Sequence, residues 1–272
     1  MPIDKIRKIV LMAILFLFTL QFFGIKFLSG SLTGSLLLWD ISLIDIFAYL
    51  ESLFASKELT TKALYALIPI FLLYLIIGRA FCGWVCPMDV FFNLLSKKKF
   101  NDEKKIINNQ RERLLKKIGY GIAIFLLIQS AVIEIPIFTN YMSHLTNFFR
   151  ALTAGVFSLL SLPFEKSLLI YSLSAILFLL ILELIYPRLW CKSLCPIGKT
   201  YGLFNKISLL RLSIVKDTCI QCGSCNESCY MDIDIASNTD KAFLRDSNCI
   251  LCGRCVDACD KKAKTLSLKF RR

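Results

Sequence analysis

Apolar residues gather along this chain into four long runs, at residues 9–28, 63–77, 118–137 and 167–186, separated by polar stretches. The first run is interrupted only by Gln21, Gly24 and Lys26, while Pro69 sits inside the second and Pro136 near the end of the third. About twenty apolar residues in a helix match the hydrocarbon thickness of a bilayer, so each run predicts a membrane-spanning helix, the second beginning a turn early. The first lacks a small-residue cleavage site and is read as a span that stays. Between runs one and two, Ile44, Phe47, Leu50 and Phe54 recur at helical spacing with Asp40, Asp45 and Glu51 among them. That pattern predicts one or two amphipathic helices lying at the interface. The stretch 140–166, which holds the only histidine, His144, is again polar and amphipathic.

Composition agrees with the pattern. Of 272 residues 56% are hydrophobic and 19% charged, yet the net charge is +13. Nucleic acid would want that charge on a soluble face; high apolarity with a basic excess points instead to membrane lipid, with lysine and arginine loaded on one side. Four spans put the amino end, the loop between spans two and three, and the tail on the same side. Lysines and arginines number 3 and 10 in the first two of these, against 3 and 2 in the other two loops. The comparison is 13 against 5 without the tail, which holds a further 15. The positive-inside rule then predicts a multi-pass protein of the bacterial inner membrane with both termini and all twelve cysteines toward the cytoplasm.

The ends of spans two and four repeat at an offset of 109 residues: Arg79, Cys82, Cys86, Pro87 and Lys97 correspond to Arg188, Cys191, Cys195, Pro196 and Lys206. Each unit is a span, an outer loop, a second span and then Arg-x2-Cys-x3-Cys-Pro. Both run the same way through the membrane, so a pseudo-twofold axis along its normal relates them. That arrangement brings Cys82, Cys86, Cys191 and Cys195 together near the cytoplasmic surface. Three roles compete for them: four thiolates for a further iron–sulfur cluster or metal, two redox-active dithiols, or reduced structural turns. Arg79 and Arg188 are expected to anchor span ends at lipid headgroups, with contact to cluster sulfurs the sharper alternative.

The tail carries the densest chemistry. Cys219, Cys222, Cys225 and Cys229 recur as Cys249, Cys252, Cys255 and Cys259, each run with the Cys-x2-Cys-x2-Cys-x3-Cys spacing that holds cubane iron–sulfur clusters in bacterial ferredoxins. In two-cluster ferredoxins the fourth cysteine of each run serves the other cluster. This assigns Cys219, Cys222, Cys225 and Cys259 to one 4Fe–4S cluster, and Cys249, Cys252, Cys255 and Cys229 to a second. Gly223 and Gly253 occupy matching places where the backbone bends tightly. Zinc frameworks fit two identical four-cysteine runs poorly, and disulfides are disfavoured in a reducing cytoplasm. Tyr230 and Asp260 follow the fourth cysteines where proline is common; proline is not a ligand, so coordination is unaffected. No Rossmann fingerprint, phosphate loop or nucleophile triad is present.

With GRAFCGWVCPMD at 78–89, LWCKSLCPIGKTYGLFNK at 189–206 and the two runs behind them, the chain resembles the NapH-type ferredoxin-type membrane subunits of quinol dehydrogenases that feed periplasmic nitrate reductase. The loop SGSLTGSLLLWDISLIDIFAYLESL is similar to that family's first outer loop, while the second outer loop is more divergent. The resemblance implies electrons passing from the quinone pool (menaquinol or ubiquinol) through a non-autonomous subunit toward a periplasmic reductase, with a ferredoxin-type partner. Relatives with this cysteine layout also occur in nitrous-oxide reductase accessory systems, methylamine utilisation and oxidase assembly, so a factor that reduces or matures another enzyme's metal centre is the alternative. The outer-interface residues Trp39, Asp40 and Asp45 offer a quinol-headgroup site, with Asp45 the candidate proton acceptor, weighed against a solvated carboxylate on an amphipathic helix. His144 is weighed as a polar outer-loop residue against a ligand.

The expected architecture is thus an all-α integral membrane domain over 1–206, four transmembrane helices in two parallel-related hairpin repeats. A small α+β two-cluster ferredoxin-like domain follows over 207–272.

Overall fold

The computed structural model describes residues 2–23, 28–30, 35–38, 41–96, 109–240, 242–260 and 264–270. Trp39, Asp40, Lys26 and Lys97 lie outside them. Helix α1 (Ile3–Leu20) starts well before the first apolar run. Its first turn is docked on the tail, where Ile3 and Asp4 donate their N–H groups to the Asp257 carboxylate at 2.8 and 2.9 Å. A carboxylate there satisfies donors that have no partner within the helix and meets the positive end of its dipole.

The stretch after α1 departs from the expected helices. Strands β1 (Leu28–Gly30), β2 (Ser35–Leu38) and β3 (Ile41–Ile44) pair antiparallel in that order, with Leu37 opposite Ser42. The all-α expectation for residues 1–206 is corrected accordingly. Serine, threonine and glycine are weak helix formers, and Ile41-Ser42-Leu43 alternates at the strand period. Helix begins only at Asp45, whose Oδ2 caps α2 (Ile46–Ser56) by accepting from Phe47 and Ala48 N–H.

Helix α2 is tucked into the protein. It packs on α3 (Thr61–Ile77) and on α6 (Asn109–Ile133), with Phe47 edge-on to Phe138 at 5.4 Å. Glu51 is fully buried, accepting from Ser130 Oγ (2.9 Å), Phe138 N–H (2.6 Å), and Thr139 N–H and Oγ1 (2.8 and 2.6 Å). One carboxylate thereby ties α2 to the end of α6 and to the π-turn Phe138–Met142. Glu51→Ala strands these four donors, an expected loss on the order of 3 kcal/mol, read as a lower thermal midpoint in detergent. Glu51→Gln keeps an acceptor and should lose less.

Helices α3 and α8 (Lys166–Ile185) coincide with the second and fourth apolar runs, whereas α6 starts nine residues before the third run and stops at Ile133, four short of its end. Among the described residues α8 is the one helix both long and apolar enough to cross a membrane, and 17% of it is buried; α3 and the apolar part of α6, Lys117–Ile133, are shorter. Low burial separates α8 from the core helix of a soluble protein, which hides its apolar residues.

Short helices α4 (Ala80–Trp84) and α5 (Met88–Ser96) follow α3, whereas α7 (His144–Leu159) precedes α8. A π-turn Trp190–Leu194 and α9 (Pro196–Phe204) follow α8. The tail is a small antiparallel sheet, order β5 (Phe243–Leu244), β4 (Leu210–Ile214), β6 (Leu266–Phe270), with α10 (Ser224–Ser228) and α11 (Arg254–Asp260). One apolar core includes Tyr74, Phe92, Phe138, Leu145 and Tyr201; a second, in the tail, includes Leu212, Ile233, Ile235 and Val256. Cys82 and Cys191 pack against both.

Candidate metal centres

The tail sheet and helices form two pockets of similar size, each lined by four cysteines. The first is lined by Cys249, Cys252, Cys255 and Cys229; the second by Cys219, Cys222, Cys225 and Cys259. Each run wraps one cavity with three sulfurs and sends its fourth, at the far end of α10 or α11, to the other. Gly223 (φ +71°) and Gly253 (φ +75°) supply the left-handed backbone at the start of those helices. Gln221 (φ +51°) and Leu251 (φ +50°) do so two residues earlier in each run. Non-glycine residues held there at matching places store strain, a mark of a functional loop that spacing alone does not reveal.

Burial pushes the Cys229 thiol up to about 12, and raises Cys225, Cys249 and Cys255 as well. Raised thiols must lose their protons to ligate, so loading a metal here releases protons. Among the described residues no three His, Cys, Asp or Glu side chains converge on a point a single ion would occupy. The Thr265 hydroxyl, 2.7 Å from Cys259 Sγ, is a ready hydrogen-bonding neighbour for that sulfur.

The four remaining cysteines gather where the two cores meet. Cys82 and Cys191 lie within electrostatic reach of each other and of both Cys86 and Cys195, and all four belong to one apolar cluster. The Cys-Pro pairs have a local explanation. Cys195 caps α9 with proline at the first helical position, and its sulfur accepts from Gly198 N–H at 3.4 Å. Met88 N–H stands likewise at the Cys86 sulfur. A helix start favours the thiolate form, but burial outweighs it and raises both the Cys86 and the Cys195 thiol.

Arg79 and Arg188 are wholly buried, so the headgroup-anchor expectation is corrected. Arg79 stands beside Cys82 and donates to the carbonyls of Cys191 (2.5 Å) and Ser247 (3.0 Å). It thereby joins both cysteine turns to the tail. A Cβ on Gly198 would come within 2.5 Å of Arg79 Nη2, so a side chain there would displace that guanidinium. At the matching place in the other half stands Asp89, which accepts from Arg188 (2.7 Å) and from Arg7 (2.6 Å). Tyr230, in place of the common proline, donates its ring to Arg188 (4.4 Å) and Arg254 (4.1 Å), and its hydroxyl accepts from Arg7 (2.8 Å). Trp84 Nε1 donates to the Leu251 carbonyl at 2.9 Å, setting α4 against the second run.

Two outer-loop residues are also drawn in. Asp45 is buried rather than solvated, and burial raises its carboxyl to about 7. Its Oδ1 has no partner, and Tyr74, Cys82 and Cys195 lie within its electrostatic reach. His144 is buried too, 3.8 Å from Cys86 Sγ through Nε2, and burial lowers its pKa to about 4. The sequence signal for this burial is Ser143, which caps α7 immediately before His144.

Comparison with known proteins agrees with this geometry. The family described as "4Fe-4S binding domain" matches residues 63–105 and again 168–214, one match per repeat, and "4Fe-4S dicluster domain" matches 218–264. Fold and site together define an iron–sulfur electron-transfer protein with a ferredoxin-like carboxyl-terminal region. The chain is 30% identical over 256 residues to the ferredoxin-type protein NapH of Haemophilus influenzae, covering 92% of this chain and 83% of the relative. It is 32% identical to the methylamine utilization ferredoxin-type protein MauN of Methylorubrum extorquens, covering 76% and 67%. A putative electron transport protein of Escherichia coli, YccM, is 24% identical over 77% of this chain and 56% of its own length. The chain belongs to the NapH family of ferredoxin-type proteins. No solved structure matches it.

Proposed function

We propose that this protein is a multi-pass membrane subunit that carries electrons between the quinone pool and a respiratory reductase through iron–sulfur centres on its cytoplasmic side. The observation that carries the proposal is the crossed lining of the two tail cavities by the eight cysteines. Bound there, 4Fe–4S clusters supply one-electron transfer. Cys82, Cys86, Cys191 and Cys195 would hold a third centre between the tail and the membrane part, next to the second run through α4 and Arg79. The division is a membrane domain to residue 206 and a ferredoxin-like domain after it.

Helices α1, α3, α6 and α8 are the four spans. Exposed apolar side chains support this on α1 (Ile9, Met12, Phe16), α3 (Phe71, Leu72, Ile76), α6 (Ile124, Phe125, Ile128) and α8 (Ile170, Leu177, Phe178). The lysine and arginine count supports the orientation with both termini and all cysteines toward the cytoplasm. NapH-type kinship supports a periplasmic nitrate-type reductase as acceptor and a ferredoxin-type partner.

Asp45 is the candidate base for a quinol hydroxyl, being buried, half unpartnered and beside the four-cysteine site. A base works ionised, so quinol oxidation is expected to rise with pH through about 7, and Asp45→Asn to lower the rate at least tenfold and flatten the profile. An unchanged profile would remove Asp45 from the reaction. The whole reading is tested with anaerobically purified protein and its co-purifying partner and a menaquinol analogue: cluster reduction supports it. No reduction, together with loss of the target enzyme's metal on gene deletion, supports the maturation-factor alternative.

A further inference from the structure

His144 has two neighbours that fix its chemistry. Trp190 Nε1 lies 3.1 Å from His144 Nδ1, with the rings edge to face at 5.7 Å. An indole nitrogen is a donor only, so Nδ1 must accept. In a neutral imidazole the proton then resides on Nε2, the nitrogen 3.8 Å from Cys86 Sγ. All three side chains are at least nine-tenths buried: His144 is 4% exposed, Cys86 8% and Trp190 9%. Water therefore does not compete for the sulfur. His144 is the first residue of α7, at the positive end of that helix. Trp190 precedes Cys191, and Cys86 belongs to the other repeat. The chain Trp190–His144–Cys86 thus links the two cysteine turns through an outer-loop helix.

We propose that His144 is a positioning residue of the four-cysteine site: its Nε2–H donates to the Cys86 thiolate and raises that centre's reduction potential. The proposal rests on the reading of Cys82, Cys86, Cys191 and Cys195 as cluster ligands. The physical basis is general. Donors to ligand sulfurs withdraw electron density from a thiolate-bound cluster and stabilise its reduced, more negative state. Trp190 acts one step further out by holding the tautomer. The pseudo-symmetric side differs: α2 presents Asp45 at its start where α7 presents His144.

The test is iron and sulfide analysis with an EPR-monitored redox titration of the anaerobically purified full chain. The signal missing from a Cys82→Ala/Cys191→Ala variant is assigned to this site. His144→Leu is expected to keep its full iron while this signal becomes about tenfold harder to reduce, or ~59 mV lower for one electron. Trp190→Phe should shift it the same way by less, since a freed Nδ1 lets the proton leave Nε2. His144→Gln, whose amide can still donate, should stay near the parent. If His144→Leu loads two clusters only while His144→Gln loads three, the donor is needed to hold Cys86, which also supports the proposal. An unchanged potential in His144→Leu at full iron overturns it, as does equal loss of the third cluster in both variants. If the parent itself carries only two clusters, the underlying reading of the four cysteines falls instead.

Discussion

Replacing Cys229 by alanine is expected to destroy the centre built by the second cysteine run, not the first. Cys229 belongs in sequence to Cys219, Cys222 and Cys225, but its sulfur lines the cavity of Cys249, Cys252 and Cys255. Removing one of four thiolates from a cubane removes the ligand of one iron, and the expected outcome is loss of one whole cluster's spectroscopic signal. Cys229→Ala and Cys255→Ala should therefore abolish the same signal, and Cys259→Ala and Cys225→Ala the other. An uncrossed arrangement would pair Cys229→Ala with Cys225→Ala. The reason for crossing is geometric: the fourth cysteine lies at the end of a helix leading from one cavity toward the other.

Asp89→Ala is expected to be the most destabilising substitution away from the cysteines. Asp89 is 4% exposed and bridges Arg7 and Arg188, themselves 2% and 1% exposed. Without it the two guanidiniums share a buried space with partial compensation from Asp4 (2.8 Å) and Glu183 (3.8 Å). Breaking a buried pair by removing one partner costs about 3–5 kcal/mol, chiefly through the uncompensated charge left behind. Both arginines also hold Tyr230, so the loss is expected to loosen the tail from the preceding helices. Limited proteolysis should then release a fragment containing residues 219–259, which the parent protein resists. Asp89→Asn keeps the shape without the charge and should fall between. A parent-like melting midpoint in Asp89→Ala would show that Asp4 and Glu183 suffice.

The tail was legible in the sequence because ligand spacing is a covalent constraint: a cubane dictates which residues fall where, and two identical runs dictate two cavities. The helices at 61–77, 109–133 and 166–185 were legible because each carries a long apolar run, a signal that does not depend on distant partners. The outer loops were not. The apolar positions of 35–44 fit strand alternation as well as a helix face, and only backbone pairing decides between them. Asp45, Glu51 and His144 look like solvent-facing residues on amphipathic helices; their burial depends on partners far along the chain, such as Thr139 for Glu51 and Cys86 for His144. Arg79 and Arg188 carry the signature of headgroup anchors, and the docked tail is what hides them. Tyr230 was visible as a departure from the usual proline, but its meaning lies with Arg7, 223 residues away.

The most direct measurement of the central claim is the iron and acid-labile sulfide content of protein purified without oxygen, with zinc measured on the same sample. Clusters in both tail cavities and at the four-cysteine site give three cubanes, four irons and four sulfides each, and no stoichiometric zinc. Zinc in stoichiometric amount with no acid-labile sulfide would contradict the account at its root.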